Sequence, residues 1–193
     1  MKQNYDSGST ATLHPRGETR GKSGADQENM MKKVEAAGKP GIGHKALEHF
    51  VGNWKAEVKC YGEPNSQPQV SQATAKGSWI LSGRFLQEDF QGEMMGKPFH
   101  GRTLMGYDNV KETFSSVWVS DMQTSMFVTE GRGENGNQTI TLEGNASCAA
   151  TDRTEIPMKI VMRVLGPDKR TFEMFDTSRG PNAKTMEITY TRD

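Results

Sequence analysis

The chain has only two cysteines in 193 residues, Cys60 and Cys148. They are too few for a disulfide framework and lack metal-ligand spacing, so both read as reduced, half-buried thiols. Net charge is absent as well, since 24 Lys plus Arg balance 24 Asp plus Glu. That removes the basic footprint of a nucleic-acid binder and the attraction to an acidic membrane surface. Nothing approaches the roughly 18 to 20 consecutive apolar residues of a membrane span. The opening segment MKQNYDSGSTATLHPRGETRGKSG has no apolar core and does not read as a secretory signal. These absences together lead us to expect a cytoplasmic protein that meets neither nucleic acid nor membrane.

Recognisable chemistry is equally scarce. The histidines are His14, His44, His49 and His100. His44 and His49 stand five apart, on different sides of a helix, and do not form a zinc pair. No nucleophile elbow, P-loop or dinucleotide fingerprint is present. We therefore assign no catalytic residue, no metal site and no cofactor.

What is present is a change of period. Residues 1 to about 24 are Ser-, Thr-, Gly- and charge-rich, and cannot bury enough surface to offset their ordering entropy. Residues 26–37 (DQENMMKKVEAA) suit a short helix with Asp26 as N-cap and Gly38 as its stop. GKPGIG then reads as a hinge. Residues 44–51 place Leu47, Phe50 and Val51 at helical spacing, and Gly52 suits the helix end. Beyond it the period becomes two. About ten strand-like runs follow, at 53–61, 70–82, 84–92, 98–107, 113–121, 126–133, 138–146, 154–165, 170–177 and 184–192, separated by turn residues. Short links imply antiparallel neighbours in sequence order, and closure abolishes exposed edges. The expected fold is an all-β, antiparallel, up-and-down barrel of about ten strands. A short helix precedes the first strand, with a tail over 1–41, disordered or partly helical, and the barrel over 42–193. A barrel of that size is wider than its side chains just fill, so a cavity is expected.

The alternation is mixed. Leu86, Glu88 and Phe90 share a face. Ile160, Met162 and Val164 lie opposite Val161, Arg163 and Leu165. Glu173 sits with Phe175, opposite Phe172, Met174 and Asp176. Charges on an inner face must pair or meet a ligand, which makes Arg163, Glu88, Glu130, Glu173 and Glu187 candidates for an interior polar cluster. Twelve methionines suit an adaptable apolar lining. The ligand-binding set we expect is Trp79, Glu88, Phe90, Tyr107, Trp118, Glu130, Arg163 and Tyr190, holding a small lipophilic molecule. Two alternatives stay open. One is an interaction module that associates through an outer face, with a homodimer as one form. The other is an enzyme acting on a lipophilic substrate, with Glu88, Glu130 and Glu173 convergent for acid–base work. A haem-binding barrel would need an axial histidine, for which His100 is the candidate.

The run Gly52-Asn53-Trp54, placed after a short helix, is similar to the opening of lipocalin and calycin barrels. That likeness implies that the short N-terminal helix caps one end of the barrel, and that Trp54 packs across that base against a basic residue near the end of the last strand, here Arg192. Taken with Trp79, Gly83-Arg84-Phe85, GEMMG, Gly106-Tyr107-Asp108, Trp118 and MEITYTR, residues 43–193 resemble the bacterial family catalogued as domain of unknown function 1579. The resemblance implies a lipocalin-like barrel and carries no established reaction.

Overall fold

A computed structural model of the chain describes residues 24–63, 66–94 and 96–193. The disorder expected at the N-terminus falls on residues 1–23, outside the described residues. Helix α1 spans Gly24–Ala37 and has Asp26 in its first turn, where a carboxylate favours the helix dipole. A Glu28–Lys32 ion pair of 2.7 Å spans one turn on its surface.

The remaining elements build one barrel and its plug. The plug is α2 (Ile42–Leu47) followed by a 3-10 turn at Glu48–Phe50. The strands are β1 (Gly52–Cys60), β2 (Gln69–Ile80), β3 (Phe85–Met94), β4 (Lys97–Asp108), β5 (Thr113–Ser120), β6 (Phe127–Glu134), β7 (Thr139–Cys148), β8 (Arg153–Gly166), β9 (Lys169–Asp176) and β10 (Lys184–Arg192). Each pairs antiparallel with its neighbour in sequence, and β1 pairs with β10 to close the barrel. The up-and-down architecture expected from the alternation is present.

The plug works by burying the apolar stripe of α2 and its turn. Leu47 and Phe50 are buried with Leu86, Met105, Phe114, Ile140 and Met162 in one core cluster. Burying a leucine or phenylalanine side chain fully contributes about 1.5–3 kcal/mol. Gly77 makes the fit possible, since a Cβ there would come within 2.1 Å of the Phe50 carbonyl oxygen. His44 fixes the helix start. Its Nδ1 accepts from the Gly41 N–H at 3.0 Å, and its ring meets Tyr107 edge-on at 6.0 Å.

Closure is tied at the same end. Trp54 is buried and its indole N–H donates to the Phe50 carbonyl at 3.1 Å. The Arg192 guanidinium lies 4.3 Å from the Trp54 ring centroid and donates to the carbonyls of Val51 and Pro167. Thus the last strand, the first strand and the plug share one set of contacts. Cation–π stacking of this kind contributes about 0.5–2 kcal/mol, depending on desolvation.

Candidate functional site

Strand register sorts every side chain to one face. Trp54 opposes Ala75, Ala75 opposes Phe90, and Phe90 opposes Gly101, so these residues face inward. On the next diagonal, Gly77, Glu88, Thr103, Trp118 and Phe127 face inward together. On β9 and β10 the inner face carries Arg170, Phe172, Met174, Met186, Ile188 and Tyr190. Beside the plug, the inner residues Leu86, Met105, Phe114, Ile140 and Met162 are buried. Towards the opposite end, Trp118, Phe127, Phe172, Met174 and Met186 face inward yet remain only half-buried. This end of the barrel is the candidate site. Its walls are aromatic and Met-rich. Phe90, Phe99 and Trp118 meet with ring centroids 6.1–6.2 Å apart, and Trp118 packs on Gly101, where a Cβ would fall 2.1 Å from its ring.

The floor between the two halves is polar. Glu88 of β3 and Arg170 of β9 form a buried ion pair across the lumen, with Arg170 Nη2 donating to Glu88 Oε2. Small inner side chains on the intervening strands, Ala56, Ala75 and Gly77, leave room for the two to meet. The guanidinium also lies 3.7 Å from the Tyr190 ring centroid, 4.6 Å from Phe50 and 4.9 Å from Trp54. Burial pushes the Glu88 carboxyl above the ordinary carboxylate range, and the Arg170 charge and hydrogen bond offset only part of that. Burial, with the nearby Glu88 charge, pushes the Tyr190 hydroxyl up as well. Among the described residues, the buried Arg170 Nε and the hydroxyls of Thr113 and Thr129 have no hydrogen-bond partner within the protein.

Of the residues expected from sequence to line the interior, Glu88, Phe90, Trp118 and Tyr190 surround this floor and wall. Trp79 and Tyr107 face inward nearer the plug. The expected interior polar cluster needs correction. Arg163, Glu130, Glu173 and Glu187 lie on the outer face, in register with other outward residues. There they pair with one another and with surface lysines. Arg163 and Lys184 both reach Glu173, Lys184 also meets Glu187 at 2.7 Å, and Lys111 meets Glu130 at 3.4 Å. Burial works against the ionised Glu173, but hydrogen bonds from Lys184 and Arg163 hold its carboxyl below the usual range. Glu88, Glu130 and Glu173 therefore do not converge. His100 also points outward, exposed, and sits 3.3 Å from Asp121, so it cannot serve as an axial ligand inside the barrel.

Sequence reasoning missed Arg170. The signal was available in KRTFEMFD, where Arg170, Phe172, Met174 and Asp176 share one face. Placing Phe172 and Met174 inward brings both charges with them. Asp176, at the far end of that stripe, is buried and accepts from Arg153 and Ser178.

A separate depression of about 790 Å³ lies on the outer wall across β1–β5, among Lys76, Asp89, His100, Arg102, Asp121 and Asp193. It is broad and open, and most of its polar groups meet one another or a neighbour, Arg102 with Asp89 at 2.6 Å, His100 with Asp121 at 3.3 Å and Asp193 with Lys55 at 2.8 Å. The inner face away from the plug is the better candidate site, because aromatic and Met side chains line it beside a buried ion pair.

The family described as Protein of unknown function (DUF1579) matches residues 39–192, and the chain belongs to that family. No curated protein matches the chain in sequence. Among solved structures, the crystal structure of Rv2717c from M. tuberculosis is 15% identical with a TM-score of 0.56, covering 80% of this chain and 99% of that one. The S-type phycobiliprotein lyase CPES from Guillardia theta is 11% identical with a TM-score of 0.55, covering 82% of this chain and 96% of that one. At these identities the likeness shows the fold alone. Among the described residues, no helix is long and apolar enough to cross a membrane.

Proposed function

We propose that this member of the family binds a small, largely apolar molecule in the half-open end of its barrel. The observation that carries this reading is the inward-facing, half-buried set Trp118, Phe127, Phe172, Met174 and Met186 towards the end of the barrel away from the plug. An apolar concavity with a few convergent polar groups is what a ligand site needs, and methionine adapts its shape to the guest. Phe90, Trp118 and Tyr190 would supply contact area, with Glu88 and Arg170 as polar anchors. The likeness to a barrel named as a phycobiliprotein lyase is compatible with this reading and does not bring that chemistry to this chain. Two free thiols fit a cytoplasmic setting.

The test is a titration of the purified protein with the lipophilic fluorophore 1-anilinonaphthalene-8-sulfonate. Saturable binding is expected, together with a change in tryptophan emission as Trp118 is covered. Ala73→Phe, which projects a ring from β2 into the open half, should abolish binding while leaving the circular dichroism spectrum native. Equal binding by native protein and Ala73→Phe would place the probe elsewhere and defeat the reading.

A further inference from the structure

The outer wall of the barrel is not uniform. On the side of β8–β10 it carries the charge network of Arg163, Glu173, Lys184 and Glu187. The outward Phe175 of that side lies under Lys159 and Lys184, whose ammonium groups are 4.9 and 5.9 Å from its ring centroid. On the side of β3–β6 the outward row is apolar. Leu104 of β4 stands opposite Val117 of β5, and Val117 opposite Val128 of β6. Phe85 of β3 extends the strip, with its ring against Gly106, where a Cβ would fall 2.7 Å from it. Phe85, Leu104 and Val128 are 37%, 40% and 55% exposed. The solvated face of an antiparallel sheet is ordinarily polar, and a contiguous apolar patch on it marks a contact surface.

We infer that this strip is the contact between two copies of the chain, packed sheet on sheet. The closed barrel has no strand edge, so a partner cannot join by adding a strand and must lie on the face. A second face of like twist fits it with strands aligned to within about 30°. Charge favours a second copy over other partners. An ion pair bounds the strip on each side, Arg102 with Asp89 at 2.6 Å away from the plug and Lys111 with Glu130 at 3.4 Å towards it. Each rim therefore carries both signs. In a two-fold contact the same patch meets itself, and either rim then finds opposite charge on the partner. The apolar strip and its charged rims also match the core and rim of a protein interface. Net charge is zero, so two copies carry no overall repulsion. An anionic lipid surface would call for a rim of one sign, rich in Lys and Arg. The inference uses the outer wall alone and does not rest on the lumen reading.

Sedimentation velocity of the full chain over a concentration series tests this. The native protein should move from the mass of one chain towards that of two as concentration rises. Val128→Lys places a charge at the most exposed of these positions and should weaken association about tenfold or more. Leu104→Gln should weaken it as well. Both side chains point away from the core, so the urea midpoint of either variant should stay near the native one. Thr191→Lys adds the same charge to an exposed outward position on β10, across the barrel from β5, and should associate as the native protein does. A native protein that stays monomeric at every concentration, or Val128→Lys and Thr191→Lys that associate alike, would overturn the inference. So would a monomeric native protein that sediments with vesicles of phosphatidylcholine and phosphatidylserine while Leu104→Gln does not, since that result gives the strip to a lipid surface.

Discussion

Replacing Arg170 with Met should destabilise the barrel at neutral pH, and the size and pH dependence of the loss follow from Glu88. The two residues are buried and bonded to each other across the lumen. Removing one partner of a buried ion pair costs about 3–5 kcal/mol, because the remaining charge is left uncompensated. The guanidinium's contact with Tyr190, at 3.7 Å from the ring centroid, is lost as well. Glu88→Leu alone should cost a similar amount, since it strands Arg170. The double variant Glu88→Leu/Arg170→Met removes both charges and fills the space with apolar groups. It should lie within about 2 kcal/mol of the native protein, far from the sum of the single losses. Urea unfolding followed by tryptophan emission measures all four proteins. The sign of the pH effect is fixed. Without Arg170, the folded Glu88 carboxyl sits still further above its unfolded value. The native state then holds a proton that the unfolded chain releases, so the stability of Arg170→Met should fall as pH rises from the ordinary carboxylate range towards neutrality. Additive single losses, or an Arg170→Met variant within about 1 kcal/mol of native at pH 7, would refute the buried pair as an energetic unit.

Further perturbations probe other parts of the account. Gly101→Ala should push the Trp118 indole off the wall, because the added Cβ would sit 2.1 Å from the ring. The expected result is a loss of about 1–3 kcal/mol and a shifted emission spectrum, and pairing it with Trp118→Leu should recover stability. Leu47→Ala, at a fully buried plug position, should lower the urea midpoint by an amount worth about 2–5 kcal/mol without changing the slope. Burial, with the adjacent Arg84 charge, holds His44 below its ordinary value of 6.5 despite its hydrogen bond to the Arg84 backbone. Its contribution should therefore be intact above pH 6.5 and be lost as pH falls below it, a slope that His44→Gln should lack.

The fold was largely legible from sequence. The runs of period two fell close to the ten strands because their turns, such as GPDK and ENGN, leave little freedom in hairpin length. The Trp54–Arg192 contact followed from the likeness of Gly52-Asn53-Trp54 to the opening of lipocalin and calycin barrels, and the structure forms it. The inner and outer faces were harder to tell apart. Alternation divides a strand into two faces but does not say which one meets the core. Here the outer face carries apolar residues such as Leu104, Val128 and Leu165, while the inner face carries Glu88, Arg170 and Asp176. Both faces of β8 and β9 therefore look equally mixed. Arg163 and Glu173 read as interior when they form a surface network, and Arg170 was passed over. Only the register across ten strands, which depends on partners distant in sequence, resolves the choice.

Selective protection of Cys60 tests the central claim most directly. Cys60 ends β1 on the inner face, opposite Met186, and burial pushes its thiol above the usual range. Cys148 ends β7 beside the 3-10 turn at Ala149–Thr151, and hydrogen bonds from Thr151 and the Ala150 backbone hold its thiol below the usual range. Alkylation with N-ethylmaleimide, resolved by peptide mass spectrometry, should modify Cys148 faster in the free protein. Saturation with 1-anilinonaphthalene-8-sulfonate should slow modification of Cys60 severalfold and leave Cys148 unchanged. Unchanged rates at both thiols under saturating ligand would contradict a binding site inside the barrel.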